Sequence, residues 1–147
     1  MKALQHAIVR IVTDKTKNLK HLNVFISPDL SLIIFIYGDV YFTEKAMDVI
    51  LQERDETTFF GRNVIPSSVF GDVVAREIFA TVLMPNDMGV VRDFKDAFMK
   101  GRIQDSGAWN LYYYLASPEF INIDDFTQDF DTPHIYKHFM KAYDNLR

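Results

Sequence analysis

The sequence predicts an α+β domain, with a small antiparallel sheet of two to three strands in its N-terminal third and about five α-helices packed on it. Three observations support this. Strand-like runs come first and helical periodicities follow, an order that favours α+β over an alternating parallel-sheet fold. The 147 residues suit one globular domain, 1–147, with no repeat or low-complexity tract to divide it. Hydrophobic residues make up 48% of the chain, which is enough to build a core.

Ala3 to Val12 places Leu4, Ala7, Ile8, Ile11 and Val12 on one helical face, although its Ile and Val content also allows a strand. Asp14 to Lys20 is polar and reads as a loop. The clearest β signal is Leu22 to Tyr37. Here Val24-Phe25-Ile26 and Leu32-Ile33-Ile34-Phe35-Ile36-Tyr37 flank a Ser27-Pro28-Asp29 turn, which predicts a hairpin. Its second half is apolar at every position and should be buried on both faces. After Gly38-Asp39, Val40-Tyr41-Phe42 can form a third short strand.

Thr43 is a good N-cap for a helix to about Arg54, with Ala46, Met47, Ile50 and Leu51 inward. Glu53 to Arg62 reads as a loop. From Pro66 to Met84, the spacing of Phe70, Val73, Val74, Ile78, Val82 and Leu83 predicts a central helix stopped by Pro85. Asn86 or Asp87 can cap a helix that buries Val91, Phe94 and Phe98 and stops at Gly101. Asp105 or Ser106 can cap the next, which ends at Ser117-Pro118. Glu119 to Asp131 reads as acidic and irregular. Thr132-Pro133 then opens a terminal helix with Ile135, Tyr136, Phe139, Met140 and Tyr143 along one side.

Composition narrows the function classes. The net charge of −4 disfavours nucleic acid as a partner and permits a basic protein surface. The basic residues Lys15, Lys17, Lys20 and His21 carry no interleaved aromatics, so they read as a solvated loop. With no cysteine, thiolate catalysis and Cys-based metal sites are excluded, and a reducing compartment fits. The N-terminal residues lack the features of a signal peptide. The longest apolar run, Leu32 to Tyr37, falls far short of the ~20 residues of a membrane span. A cytoplasmic protein with no membrane association is the expectation. The six glycines form neither a phosphate loop nor a dinucleotide fingerprint, and no nucleophile elbow occurs. No cofactor is called for.

Three patterns stand out. Trp109-Asn110-Leu111-Tyr112-Tyr113-Tyr114 carries four large rings, of residue types common at binding hot spots and equally common in cores. Asp124, Asp125, Asp129 and Asp131 follow within a short acidic stretch that lacks the spacing of a calcium loop. His134 and His138 lie four apart on the terminal helix and so share a face. With Asp131 or His6 they could hold a metal; a solvated histidine pair is the simpler reading.

The sequence therefore leans away from an enzyme. Its first expectation is a protein–protein interaction domain, such as a small acidic inhibitor, an immunity-type or anti-defence protein, or an adaptor. The surface would combine Trp109, Tyr113 and Tyr114 with Asp124, Asp125 and Asp129. The alternatives are a small enzyme or ligand-binding domain with dispersed residues (His134, His138, Asp131, Glu77), and a homo-oligomer joined through Leu32 to Tyr37.

Overall fold

A computed structural model describes residues 7–12, 32–72, 76–130 and 132–146. Its architecture is mixed α+β. Among the described residues there are seven strands: β1 (Ala7–Val12), β2 (Leu32–Tyr37), β3 (Val40–Tyr41), β4 (Thr58–Arg62), β5 (Glu77–Leu83), β6 (Glu119–Asn122) and β7 (Gln128–Asp129). Four α-helices accompany them: α1 (Glu44–Ile50), α2 (Met88–Met99), α3 (Ala108–Tyr114) and α4 (Pro133–Asp144).

Five strands form one sheet in the order β1-β2-β5-β4-β6, and β3 pairs with β7 in a separate ribbon. The sheet is mixed: β1 runs parallel to β2, and β6 parallel to β4. β5 is antiparallel to both of its neighbours. The small N-terminal antiparallel sheet expected from sequence is thus replaced by a larger mixed one that draws strands from most of the chain. The expected partner run Val24 to Ile26 lies outside the described residues; the two neighbours of β2 are β1 and β5.

The period-two geometry of a strand explains the layering. Ile33, Phe35 and Tyr37 face one side with Phe59 and Ile78, and α2 and α3 cover them through Val91, Phe94 and Leu111. Ile34 and Ile36 face the other with Phe60, Phe79 and Val82, under Ala46 and Ile50 of α1. A smaller third cluster holds α4, where Phe139 meets Phe70.

Three sequence expectations are corrected. The helix expected over Pro66 to Met84 does not form in its described parts: Ser67 and Gly71 close a turn through an isolated bridge, and Glu77–Leu83 is strand β5, buried at every position from Ile78 to Leu83. Burial on both faces removes the alternation that marks a strand, and a continuous apolar run also satisfies a helical template. The 53–62 loop contains β4, which is buried throughout. At Gly61 the register with β5 shifts, and a Cβ there would collide with the Glu77 carbonyl. That glycine allows a close backbone approach within a strand and does not mark a loop. The acidic 119–131 segment supplies β6 and β7. At the N-terminus, 7–12 takes the strand alternative.

β2 lies inside the sheet, and Ile33 to Tyr37 are buried on both faces. Helices α1, α2 and α3 cover the two faces of this strand. No helix among the described residues is long and apolar enough to cross a membrane.

Candidate functional site

The aromatic run lies on α3. The Asp105 carboxylate accepts from the Gly107 amide at 2.8 Å and orders the entry to this helix. At its far end the Ser117 amide reaches back to the Tyr112 carbonyl and Ala116 to Tyr113, both at 3.1 Å. That closing turn puts Ala116 at φ 59° and Ser117 at φ 55°. It turns the chain into β6, which β4 holds in parallel register, Phe59 against Phe120. Phe120 is thereby delivered beneath α3.

The result is a three-ring stack. Phe120 and Trp109 are 5.3 Å apart and inclined by 11°, and Trp109 and Tyr113 are 6.1 Å apart at 26°. Tyr112 stands edge-on to Trp109, Tyr113 and Phe120 and packs against buried Phe59, which ties the stack to the core. The outermost ring, Tyr113, is 63% exposed. Tyr114, 43% exposed, leans on Phe94 of α2 at 5.1 Å. Trp109 is half-buried and reaches the Arg76 carbonyl with its indole N–H at 3.4 Å. The structure joins Trp109 and Tyr113 in one stack and adds Phe120, whereas Tyr114 packs apart from it on Phe94. In the sequence Phe120 sat beyond Pro118 with no local signal, because only the β4–β6 pairing places it here.

The three aspartates are elsewhere, engaged in holding the fold. Asp124 and Asp125 gather on Arg62, whose side chain is fully buried. Its guanidinium donates to Gln128 Oε1 at 2.7 Å and to the backbone carbonyls of Asp125 and Thr127 at 2.9 and 2.7 Å. Phe70 and Phe79 flank it, their ring centres 5.1 and 5.3 Å away. Asp124 supplies the counter-charge at 3.6 Å from Nε. The Asp124 carboxylate also accepts from the Ser67 hydroxyl at 2.6 Å and the Ser68 amide at 2.8 Å.

Desolvation lowers the Arg62 pKa, opposed by the charges of Asp124 and Asp125. An arginine in such a setting stays charged. For Asp124, burial acts to raise the pKa, but hydrogen bonds from Ser67 and Ser68 and the Arg62 charge bring it below the usual value.

Asp125 joins the same network from the other side. It accepts from the Thr43 hydroxyl at 2.6 Å and from the Thr127 amide at 2.7 Å. Thr43 thus caps α1, accepting from the Ala46 amide at 3.0 Å, while anchoring the 124–128 segment. Asp129 is fully buried in the β3–β7 ribbon. None of the three forms a rim around the rings.

On α4 the rings of His134 and His138 are 4.4 Å apart at an interplanar angle of 68°. His138 also borders an open pocket with Val69, Phe70, Lys141, Ala142 and Asn145. Asp131 and His6 lie outside the described residues. Among the described residues no group of three or more His, Cys, Asp or Glu side chains is placed to hold a metal. Glu77 is half-buried at the start of β5.

The fold and its surfaces define a mixed α+β domain with an aromatic platform at one sheet edge. Comparison with protein-family models, curated proteins and solved structures finds no match.

Proposed function

We propose that this chain is a non-enzymatic protein–protein interaction domain of the inhibitor or adaptor kind, which engages its partner on the α3–β6 aromatic platform. The observation that carries this reading is the Phe120–Trp109–Tyr113 stack, which is anchored in the core yet ends on an exposed ring. A rigid ring that the fold already holds in place loses little side-chain freedom on binding. Tyrosine and tryptophan in such settings dominate interface energetics.

The partner would present an arginine. A guanidinium laid on Tyr113 would extend the stack by one planar group, with a cation–π attraction of roughly 0.5–1 kcal/mol at an exposed site. The chain's net charge of −4 favours the approach of a basic surface. Among the described residues β6 pairs on one side only, with β4, so backbone donors and acceptors lie beside the rings.

The test compares the wild-type chain with Tyr113→Ala/Tyr114→Ala in binding to a partner isolated by cross-linking and then purified. Its circular dichroism should be unchanged, because neither ring belongs to the buried core. Loss of a two-ring hot spot should cost about 2 kcal/mol or more, roughly a thirtyfold rise in Kd. Binding of equal strength by both proteins would refute the proposed surface.

A further inference from the structure

We propose that His134 and His138 form a two-imidazole clamp for a divalent copper or nickel ion on the solvent side of α4. This inference is independent of the aromatic platform and rests on the ring geometry.

Residues four apart on a helix sit one above the other, and here the fold fixes the helix that carries them. Thr132 caps α4, accepting from the Ile135 amide at 3.3 Å, and Pro133 occupies its first turn. Phe139, between the histidines and the core, is buried against Phe70 and Phe130. The helix therefore holds a fixed rotation, which leaves His134 exposed and His138 half-exposed.

The rings are close enough for one ion to reach both: their centres are 4.4 Å apart, and a metal–nitrogen bond is about 2.0 Å. Among divalent first-row ions, nitrogen sites bind copper most tightly, followed by nickel and zinc, and Cu(II) and Ni(II) accept two adjacent imidazoles with water in the remaining positions.

No third His, Cys, Asp or Glu side chain joins the pair among the described residues, so water would complete the coordination. Two lysines stand against the ion. Lys137 follows His134 by three positions on the same helix, and Lys141 borders the pocket beside His138. Their charge weakens cation binding by Coulomb repulsion, which replacing Lys141 would relieve.

The experiment titrates the full chain with Cu(II) and compares it with His134→Ala, His138→Ala and Lys141→Gln. The expected result is one tight equivalent with an electron paramagnetic resonance signal of two coordinated imidazole nitrogens. Each histidine variant should weaken binding roughly a hundredfold, as expected when one of two linked contacts is lost. Lys141→Gln should tighten it. A second readout is thermal: Ni(II) should raise the melting temperature of the wild type and of neither histidine variant, because an ion bound only by the folded helix stabilises it. If the wild type binds no Cu(II), or if either histidine variant binds it as tightly as the wild type, the clamp does not exist.

Discussion

Arg62, fully buried, ties β4 to the 124–128 segment through Gln128 and the carbonyls of Asp125 and Thr127. It stands in a stretch with charges and a glycine, which reads as a loop, and arginine is rarely buried completely. Its burial is possible because both terminal nitrogens meet acceptors, with three hydrogen bonds between them, while Nε faces the Asp124 carboxylate at 3.6 Å. The acidic stretch looked like a docking rim for the same reason, since its counter-charge was hidden 62 positions upstream. Arg62→Met would leave Gln128 Oε1 and two carbonyls without their donor and Asp124 without its cation. Removing one member of a buried pair costs about 3–5 kcal/mol, so urea unfolding should show a loss of that order. The pH dependence follows from Asp124, whose folded pKa lies below its reference value of 3.8. A depressed carboxylate contributes stability that is complete above the unfolded value and fades as pH falls through the folded one. The wild type should therefore lose stability below about pH 4, while Asp124→Asn, which cannot titrate, should start lower at neutral pH and show a flatter acid limb. Equal acid slopes for the two proteins would count against this pairing.

At the scale of elements, the helices were legible and most strands were not. Thr43 and Thr132 each cap the helix expected of them, by hydrogen bonds of 3.0 and 3.3 Å to Ala46 and Ile135. Caps and stop signals are local, so one sequence displays them. β4, β5 and β6 are set by pairing across the chain, and a central strand such as β5 carries no period-two signature at all. The ends of α2 and α3 make a matched pair. Gly101 follows α2 at φ 70°, with Arg102 bonding back to Ala97 and Gly101 to Phe98. After α3 the same pattern recurs with Ala116 at φ 59° in the glycine position. A left-handed residue with a Cβ is strained by about 1 kcal/mol. Nothing lies within 4 Å of a Cβ built on Gly101, so the cost there is conformational alone. Gly101→Ala should therefore destabilise the protein by roughly 1 kcal/mol, and Ala116→Gly should stabilise it by a similar amount. Denaturant midpoints of the two variants should move in opposite directions; a shift in the same direction would contradict matched caps.

At the scale of the molecule, the described residues form a two-sided sheet core with one lightly attached helix. Legibility at this scale was poorest. Composition and the order of runs conveyed the α+β class, but the sheet joins β1 near one end of the chain to β6 near the other, and no local pattern encodes that order. The attachment of α4 follows from the same topology. Among the described residues, clusters on the two faces of the sheet contain ten buried residues each, whereas the third contains Phe70 and Phe139. The joint is aromatic: Phe139 meets Phe70, Phe130, Tyr41 and Tyr143 at ring distances of 5.0–6.2 Å. Phe70 in turn lies against Arg62, so the joint borders the buried ion pair without sharing the main core. Regions with few buried contacts open at lower free energy than the core does. Phe139→Ala would remove most of the third cluster, a loss of about 3–5 kcal/mol for a buried aromatic. That loss should fall on α4 and not on the sheet. Hydrogen exchange followed by mass spectrometry should show amides of 133–144 exchanging much faster in the variant, with β2, β4 and β5 retaining most of their protection. If protection instead falls equally in α4 and in those strands, the helix and the sheet unfold as one cooperative unit.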